Sequence, residues 1–146
     1  MLPMEISTNS EKETNTAAKD FAKTLSGNEI ILFYGDLGMG KSVFCRSLIK
    51  ALCEDETLEV PSPTFTLLQQ YQCDKGIIWH FDLYRLSDPT EVYEIGWEDS
   101  LENGITLVEW PERLGSLIPP KHIAITLSAP SKSEPNHRKI EIIHNE

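Results

Sequence analysis

The chain has 146 residues, of which 40% are hydrophobic and 25% charged. That balance suits one domain with its own core, so residues 1–146 read as a single unit. Asp and Glu number 23 against 13 Lys and Arg, a formal charge of −10 with no dense cationic run, which argues against a protein that grips a nucleic-acid backbone unaided.

No apolar run approaches the roughly 20 residues of a bilayer span. The N-terminal MLPMEISTNS lacks a basic flank leading into an apolar stretch, so the expectation is a cytoplasmic protein without a membrane partner. Cys45, Cys53 and Cys73 have no CxxC spacing and read as reduced, mostly buried thiols.

In chain order, Ser10 to Leu25 reads as a helix. Ser10 and Glu13 have capping-box spacing, and Ala17, Ala18, Phe21, Ala22 and Leu25 make one apolar face. Gly27 can end it. Ile30 to Tyr34 is continuously apolar, the pattern of a strand covered on both faces in a parallel sheet. A glycine-rich turn comes next, then a helix with Val43, Phe44, Leu48, Ile49 and Leu52 inward and Arg46 and Lys50 outward. After an acidic, proline-marked loop from Glu54 to Pro63, Thr64 to Gln72 and Ile77 to Phe81 read as a hairpin turning at Asp74-Lys75-Gly76. Asp88-Pro89 with Glu91 starts a further helix, which Gly96 and Gly104 interrupt. Ile105 to Val108 is another buried strand. Alternation at Ile123, Ile125 and Leu127, and again at Ile140 and Ile142, predicts two final antiparallel strands. The fold class is α/β, a P-loop NTPase-like three-layer fold with a mixed, partly parallel central sheet.

Gly35-Asp36-Leu37-Gly38-Met39-Gly40-Lys41-Ser42 satisfies GxxxxGK[ST] at every fixed position, between the strand and the helix that the motif requires. Glycines let the backbone curl so that consecutive N–H groups face phosphate oxygens. The helix after it turns its positive end to the same anion. Lys41 supplies a point charge to the outer phosphates, and the Ser42 hydroxyl is a hard oxygen ligand for Mg2+. Asp36, Leu37, Gly38, Met39, Gly40, Lys41, Ser42 and Val43 are therefore the expected nucleotide-binding residues. A P-loop also needs a carboxylate at the end of a neighbouring strand. Asp82 and Glu109 both qualify, and spacing does not divide the work between them. Ser62-Pro63-Thr64 lies where P-loop switches place hydroxyls that sense the terminal phosphate; on pattern alone a proline turn with a strand-starting Thr is the first reading and the switch the alternative. His80, between Trp79 and Phe81, reads first as a packed strand histidine, with a catalytic histidine as the alternative, and Trp110 reads as packing. Arg85 and Arg113 are candidates to neutralise phosphate charge, but isolated arginines read first as surface ion pairs.

Together, GDLGMGKS, SPTFTLL, HFDLYRL, DPTEVYEIG and VEWPERL, in this order, resemble the TsaE (YjeE) family of bacterial ATPases. That family is required for threonylcarbamoyladenosine formation in tRNAs that read codons beginning with A. The resemblance implies that residues 1–146 are a single P-loop ATPase domain. It implies ATP and Mg2+ as cofactors, a TsaB–TsaD-like protein pair as partner, and tRNA reached only through that pair. It implies that hydrolysis resets the partner complex. It also implies that Ser42 and Glu109 hold magnesium, that Asp82 is needed for activity, and that Ser62 and Thr64 belong to a switch. Arg138 is the nearest match to a late basic residue that approaches the nucleotide. The chain departs from the family's usual GAGKT in carrying Met39 and Ser42, and Ser keeps the metal-binding hydroxyl. A small-molecule or nucleoside kinase is the competing reading, although 146 residues leave little room for a lid. No N-K-x-D is present to read guanine, which favours ATP over GTP.

Overall fold

The computed structural model describes residues 4–36, 38–63 and 65–146. The expectations placed on Leu37 and Thr64 lie outside these. Seven strands form one sheet: β1 (Met4–Thr8), β2 (Ile30–Tyr34), β3 (Leu68–Cys73), β4 (Gly76–Asp82), β5 (Ile105–Glu109), β6 (His122–Ser128) and β7 (Arg138–Asn145). Their spatial order is β1-β7-β6-β2-β5-β4-β3. The middle of the sheet, β6-β2-β5-β4, is parallel, while β7, β1 and β3 add antiparallel edges. The mixed sheet, the hairpin and the antiparallel final pair all match the sequence expectation.

Two layers cover the sheet. Helices α1 (Glu11–Ala22) and α2 (Lys41–Leu52) pack on one face against Ile31, Phe33, Ile78, Ile105 and Leu107. The other face buries Leu32, Trp79, Phe81 and Val108 under a 3-10 segment (Pro89–Ile95), α3 (Trp97–Glu102) and a second 3-10 segment (Pro111–Leu117). Strand residues alternate between faces. The side of Ile78, Ile105 and Leu107 therefore also takes His80, Asp82 and Glu109. Three polar side chains thus end up beneath α2, at the carboxyl ends of β4 and β5.

Local departures from the sequence reading have physical causes. Helix α1 closes at Ala22 rather than Leu25, because the Lys23 and Thr24 N–H groups bond back to Asp20 and Phe21 in a tightened last turn. Its Ser10 cap accepts from the Glu13 N–H at 3.1 Å, but the Glu13 carboxylate returns to the N–H of Asn9 rather than of Ser10. The stretch before β3 is a turn up to Leu67, whose N–H bonds Pro63 O at 2.6 Å. Asp88 does cap with Glu91 reciprocating, yet the segment it opens is 3-10. Cys53 and Cys73, expected as thiols, are joined: the last residue of β3 comes under the end of α2, at a Cα–Cα distance of 4.8 Å. Cys45 is free and buried.

The Phe44 ring lies 6.2 Å from Phe21 and 5.9 Å from Phe33, where α1, α2 and β2 meet, and it is fully buried. Phe44→Ala is expected to lower unfolding stability by about 3–5 kcal/mol, read as a fall in the urea midpoint at unchanged slope.

Candidate functional site

Strand β2 delivers the chain to Gly35 at the carboxyl edge of the parallel strands, where open α/β sheets bind ligands. Gly35 has φ +138, and a Cβ there would lie 2.5 Å from Leu127 O of β6, so only glycine lets the loop leave this close to its neighbour. Gly40, the N-cap of α2, has φ +98 and no side-chain capping bond, and no acidic residue occupies the first helical turn. By contrast, α1 has Ser10 capping it and two glutamates in its first turn. The start of α2 is thus left with free N–H donors and an uncompensated positive end, the condition for holding an anion.

Beside it lies a cavity of about 380 Å³ lined by Gly38, Gly40, Lys41, Ser42, Val43, Ser62, Asp82, Tyr84, Glu109 and Trp110. A larger groove of about 590 Å³ opens at the opposite end of the sheet, between α1 and the strands near Ile30 and Ile123. Its lining is mainly apolar and brings no motif residue into it, so the smaller cavity is the candidate site.

Within that cavity Lys41 is only 5% exposed, and its Nζ has no hydrogen-bond partner. The ammonium sits 3.6 Å from the centroid of the Trp110 ring. Trp110 occupies the left-handed region (φ 59, ψ 50), uncommon for a bulky residue and typical of functional positions. Tyr84 packs on it at 5.0 Å between centroids. Register pairs Asp82 with Glu109 across β4 and β5, which sets the two carboxylates side by side. Glu109 is buried, with both oxygens engaged: Oε1 accepts from the Ser42 hydroxyl at 3.2 Å, and Oε2 lies 2.7 Å from His80 Nε2. A carboxylate only accepts, so the imidazole N–H donates there. Asp82 is also buried and accepts from the Tyr84 N–H at 3.0 Å.

The structure therefore gathers Gly38, Gly40, Lys41, Ser42, Val43, Ser62, Asp82 and Glu109 on one cavity. Met39 and Asp36 belong to the loop without lining it. Arg138, at the start of β7, donates from Nε to Met39 O at 3.1 Å and from a terminal nitrogen to Gly38 O at 3.4 Å. It braces the loop's carbonyls and is not among the cavity-lining residues. Arg85 and Arg113, read as surface ion-pair residues, instead lie over the rings of Phe65 and Tyr84. Sequence pattern alone assigns no site role to Trp110 or Tyr84 and ranks His80 as packing. Their positions next to Glu109 and Asp82 at strand ends are the available signal.

A sequence model described as threonylcarbamoyl adenosine biosynthesis protein TsaE matches residues 8–140. The chain belongs to the TsaE family. Proteins named tRNA threonylcarbamoyladenosine biosynthesis protein TsaE are similar along most of its length. The Rickettsia bellii TsaE is 47% identical, with 87% of this chain and 88% of that protein covered. For the Rickettsia prowazekii TsaE the figures are 44%, 94% and 92%, and for the Aquifex aeolicus TsaE 40%, 75% and 77%. The crystal structure of Bacillus subtilis YdiB superposes with a TM-score of 0.77 at 21% identity, over 99% of this chain and 87% of that one, which establishes the shared fold. Among the described residues no helix is long and apolar enough to cross a membrane.

Proposed function

We propose that this chain is a magnesium-dependent ATPase that serves threonylcarbamoyladenosine formation in tRNA, acting in the cytoplasm with a TsaB–TsaD-like protein pair. One observation carries the nucleotide reading: a buried Lys41 ammonium without a hydrogen-bond partner, beside an uncapped helix start in a cavity of ligand size. Such a charge is costly to leave unpaired, and the outer phosphates of ATP supply the missing acceptors. Backbone N–H groups around Gly38 to Val43 would hold the remaining phosphate oxygens.

The donors present fit magnesium. Ser42 Oγ and Glu109 Oε1 are hard oxygens 3.2 Å apart, and Asp82 offers a neighbouring carboxylate that can orient water. When bound, the ion supplies charge neutralisation at the phosphates. Lys41 then fixes the outer phosphates, while His80 and Ser42 hold the Glu109 carboxylate in place. Ser62 lines the cavity and is the described part of the switch. No described arginine lines the cavity, so the isolated protein should hydrolyse ATP slowly and depend on a partner for its full rate. The net charge of −10 favours contact with tRNA through that partner and not directly.

The experiment is ATP turnover with and without the partner pair. Addition of the pair is expected to raise turnover by on the order of 10-fold or more, in line with supplying one transition-state group. Turnover unchanged by the pair would remove the partner assignment. Phosphorylated product from a panel of small-molecule acceptors would favour a kinase instead.

A further inference from the structure

Beneath the nucleotide cavity lies a second donor set, which shares Glu109 with the magnesium site and adds a thiol and an imidazole, ligands that magnesium does not favour. Cys45 comes three residues after Ser42 on α2, so it sits one turn deeper on the same helix face. It is the free cysteine of the chain and is fully buried. Its Sγ, one ring nitrogen of His80 and one Glu109 oxygen all lie within 4.8 Å of one another. The three residues come from α2, β4 and β5, so the core fixes their mutual placement. His80 is 2% exposed, and its Nδ1 has no hydrogen-bond partner, an unusual condition for a buried polar atom.

We propose that Cys45, His80 and Glu109 form a site for a zinc-class divalent cation, and that its occupancy withdraws Glu109 from the magnesium of the nucleotide site. Thiolate, imidazole and carboxylate are the ligands zinc takes, in tetrahedral sites that often leave one position for water. Coordination needs the three donor atoms to close to roughly 3.5 Å of one another, a side-chain adjustment. Burial, and then the nearby Glu109 charge, push the Cys45 thiol well up. On binding, the cation replaces the thiol proton, which leaves to solvent, and His80 coordinates as a neutral imidazole through one ring nitrogen, its single N–H being carried on the other. Thiolate and carboxylate together then balance the two positive charges. Glu109 lines the nucleotide cavity, which gives the cation its route in and the fourth ligand position its opening. Because Glu109 serves both sites, the softer cation and the nucleotide's magnesium compete for one carboxylate. The inhibitory consequence rests on the ATPase reading; the metal site itself does not.

The test uses the full chain, free of nucleotide, with the Cys53–Cys73 bond intact so that Cys45 is the sole thiol. Cobalt(II) is added as the probe. A near-ultraviolet sulfur-to-cobalt band is expected in the parent, displaced by one equivalent of zinc and absent from Cys45→Ala and from the bulkier Cys45→Val. No such band in the parent overturns the site. So does a band that survives in whichever of the two variants remains folded, as judged by its melting transition. A second arm measures zinc inhibition of ATP turnover at fixed magnesium, each protein relative to its own zinc-free rate. The inhibiting zinc concentration is expected to rise by about a hundredfold when the sulfur ligand is lost. Equal zinc sensitivity in parent and variant overturns the competition. A parent with the cobalt band but no ATP turnover would sink the ATPase reading and leave the metal site standing.

Discussion

Lys41→Met is expected to weaken ATP binding by at least about tenfold, and turnover by roughly 10²–10³, while leaving the nucleotide-free protein as stable as the parent or more so. The two halves of this result come from one feature. In the free protein the ammonium is buried at 5% exposure with no hydrogen bond; it lies against the face of Trp110, in the cavity that Asp82 and Glu109 also line. A cation over an indole contributes about 2 kcal/mol or somewhat more when desolvated. Removing a buried charge from water costs several kcal/mol, so Lys41 stands in the free protein at a net cost. Methionine keeps the apolar stem in the same slot and removes that cost. With ATP bound the balance reverses, because the phosphate oxygens become the acceptors the ammonium lacks. Calorimetric titration with a non-hydrolysable ATP analogue and urea unfolding of the same preparation read the two halves together. A variant that loses binding only because it has lost stability would show that Lys41 is a structural cation.

The site and its frame are unequally legible in the sequence. The P-loop can be read because its chemistry is local: glycines, lysine and hydroxyl sit on eight consecutive residues, with the strand and helix that flank them. The buried parallel strands β2 and β5 show themselves by unbroken apolar runs. Strand β1 does not, since MEIST is short and mostly exposed, and its place is set by pairing with β7 more than a hundred residues away. Cap chemistry at Asp88 is visible, but whether a 3-10 or an α-helix grows from it depends on what packs beneath it. His80 reads as packing because the strand pattern around it is apolar. Its partner is 29 residues away in sequence and becomes a neighbour only through the β4–β5 register. Trp110 and Lys41 meet for a similar reason, with the left-handed turn at Trp110 as the added, unforeseeable step. The Cys53–Cys73 link needs the ends of α2 and β3 in the same place, which no spacing rule reveals.

Glu109→Gln is expected to raise the magnesium concentration needed for tight ATP binding by about 10- to 100-fold, while metal-free nucleotide binding stays equal or becomes tighter. Asp82→Asn is expected to do the reverse: affinity preserved and turnover lowered by roughly 10²-fold. The register puts the two carboxylates across from each other, yet their surroundings differ. Glu109 is held from both sides, by Ser42 at 3.2 Å and His80 at 2.7 Å, so one oxygen is fixed beside the hydroxyl that would share its metal. Asp82 has Oδ1 on the Tyr84 N–H, which anchors it at the strand end, in the cavity. A rigid carboxylate next to a second hard ligand suits a metal site, and a carboxylate one strand further out suits the orientation of water. Taking the charge from Glu109 also removes a repulsion against the triphosphate, which is why binding without metal should not suffer. Gln keeps the shape and can still bond Ser42 and His80, so folding is not at issue. Magnesium titrations at fixed ATP analogue, run on both variants, separate the assignments. Overlaying curves for Glu109→Gln and the parent would strip Glu109 of its role as a ligand, and a magnesium shift confined to Asp82→Asn would transfer that role to Asp82.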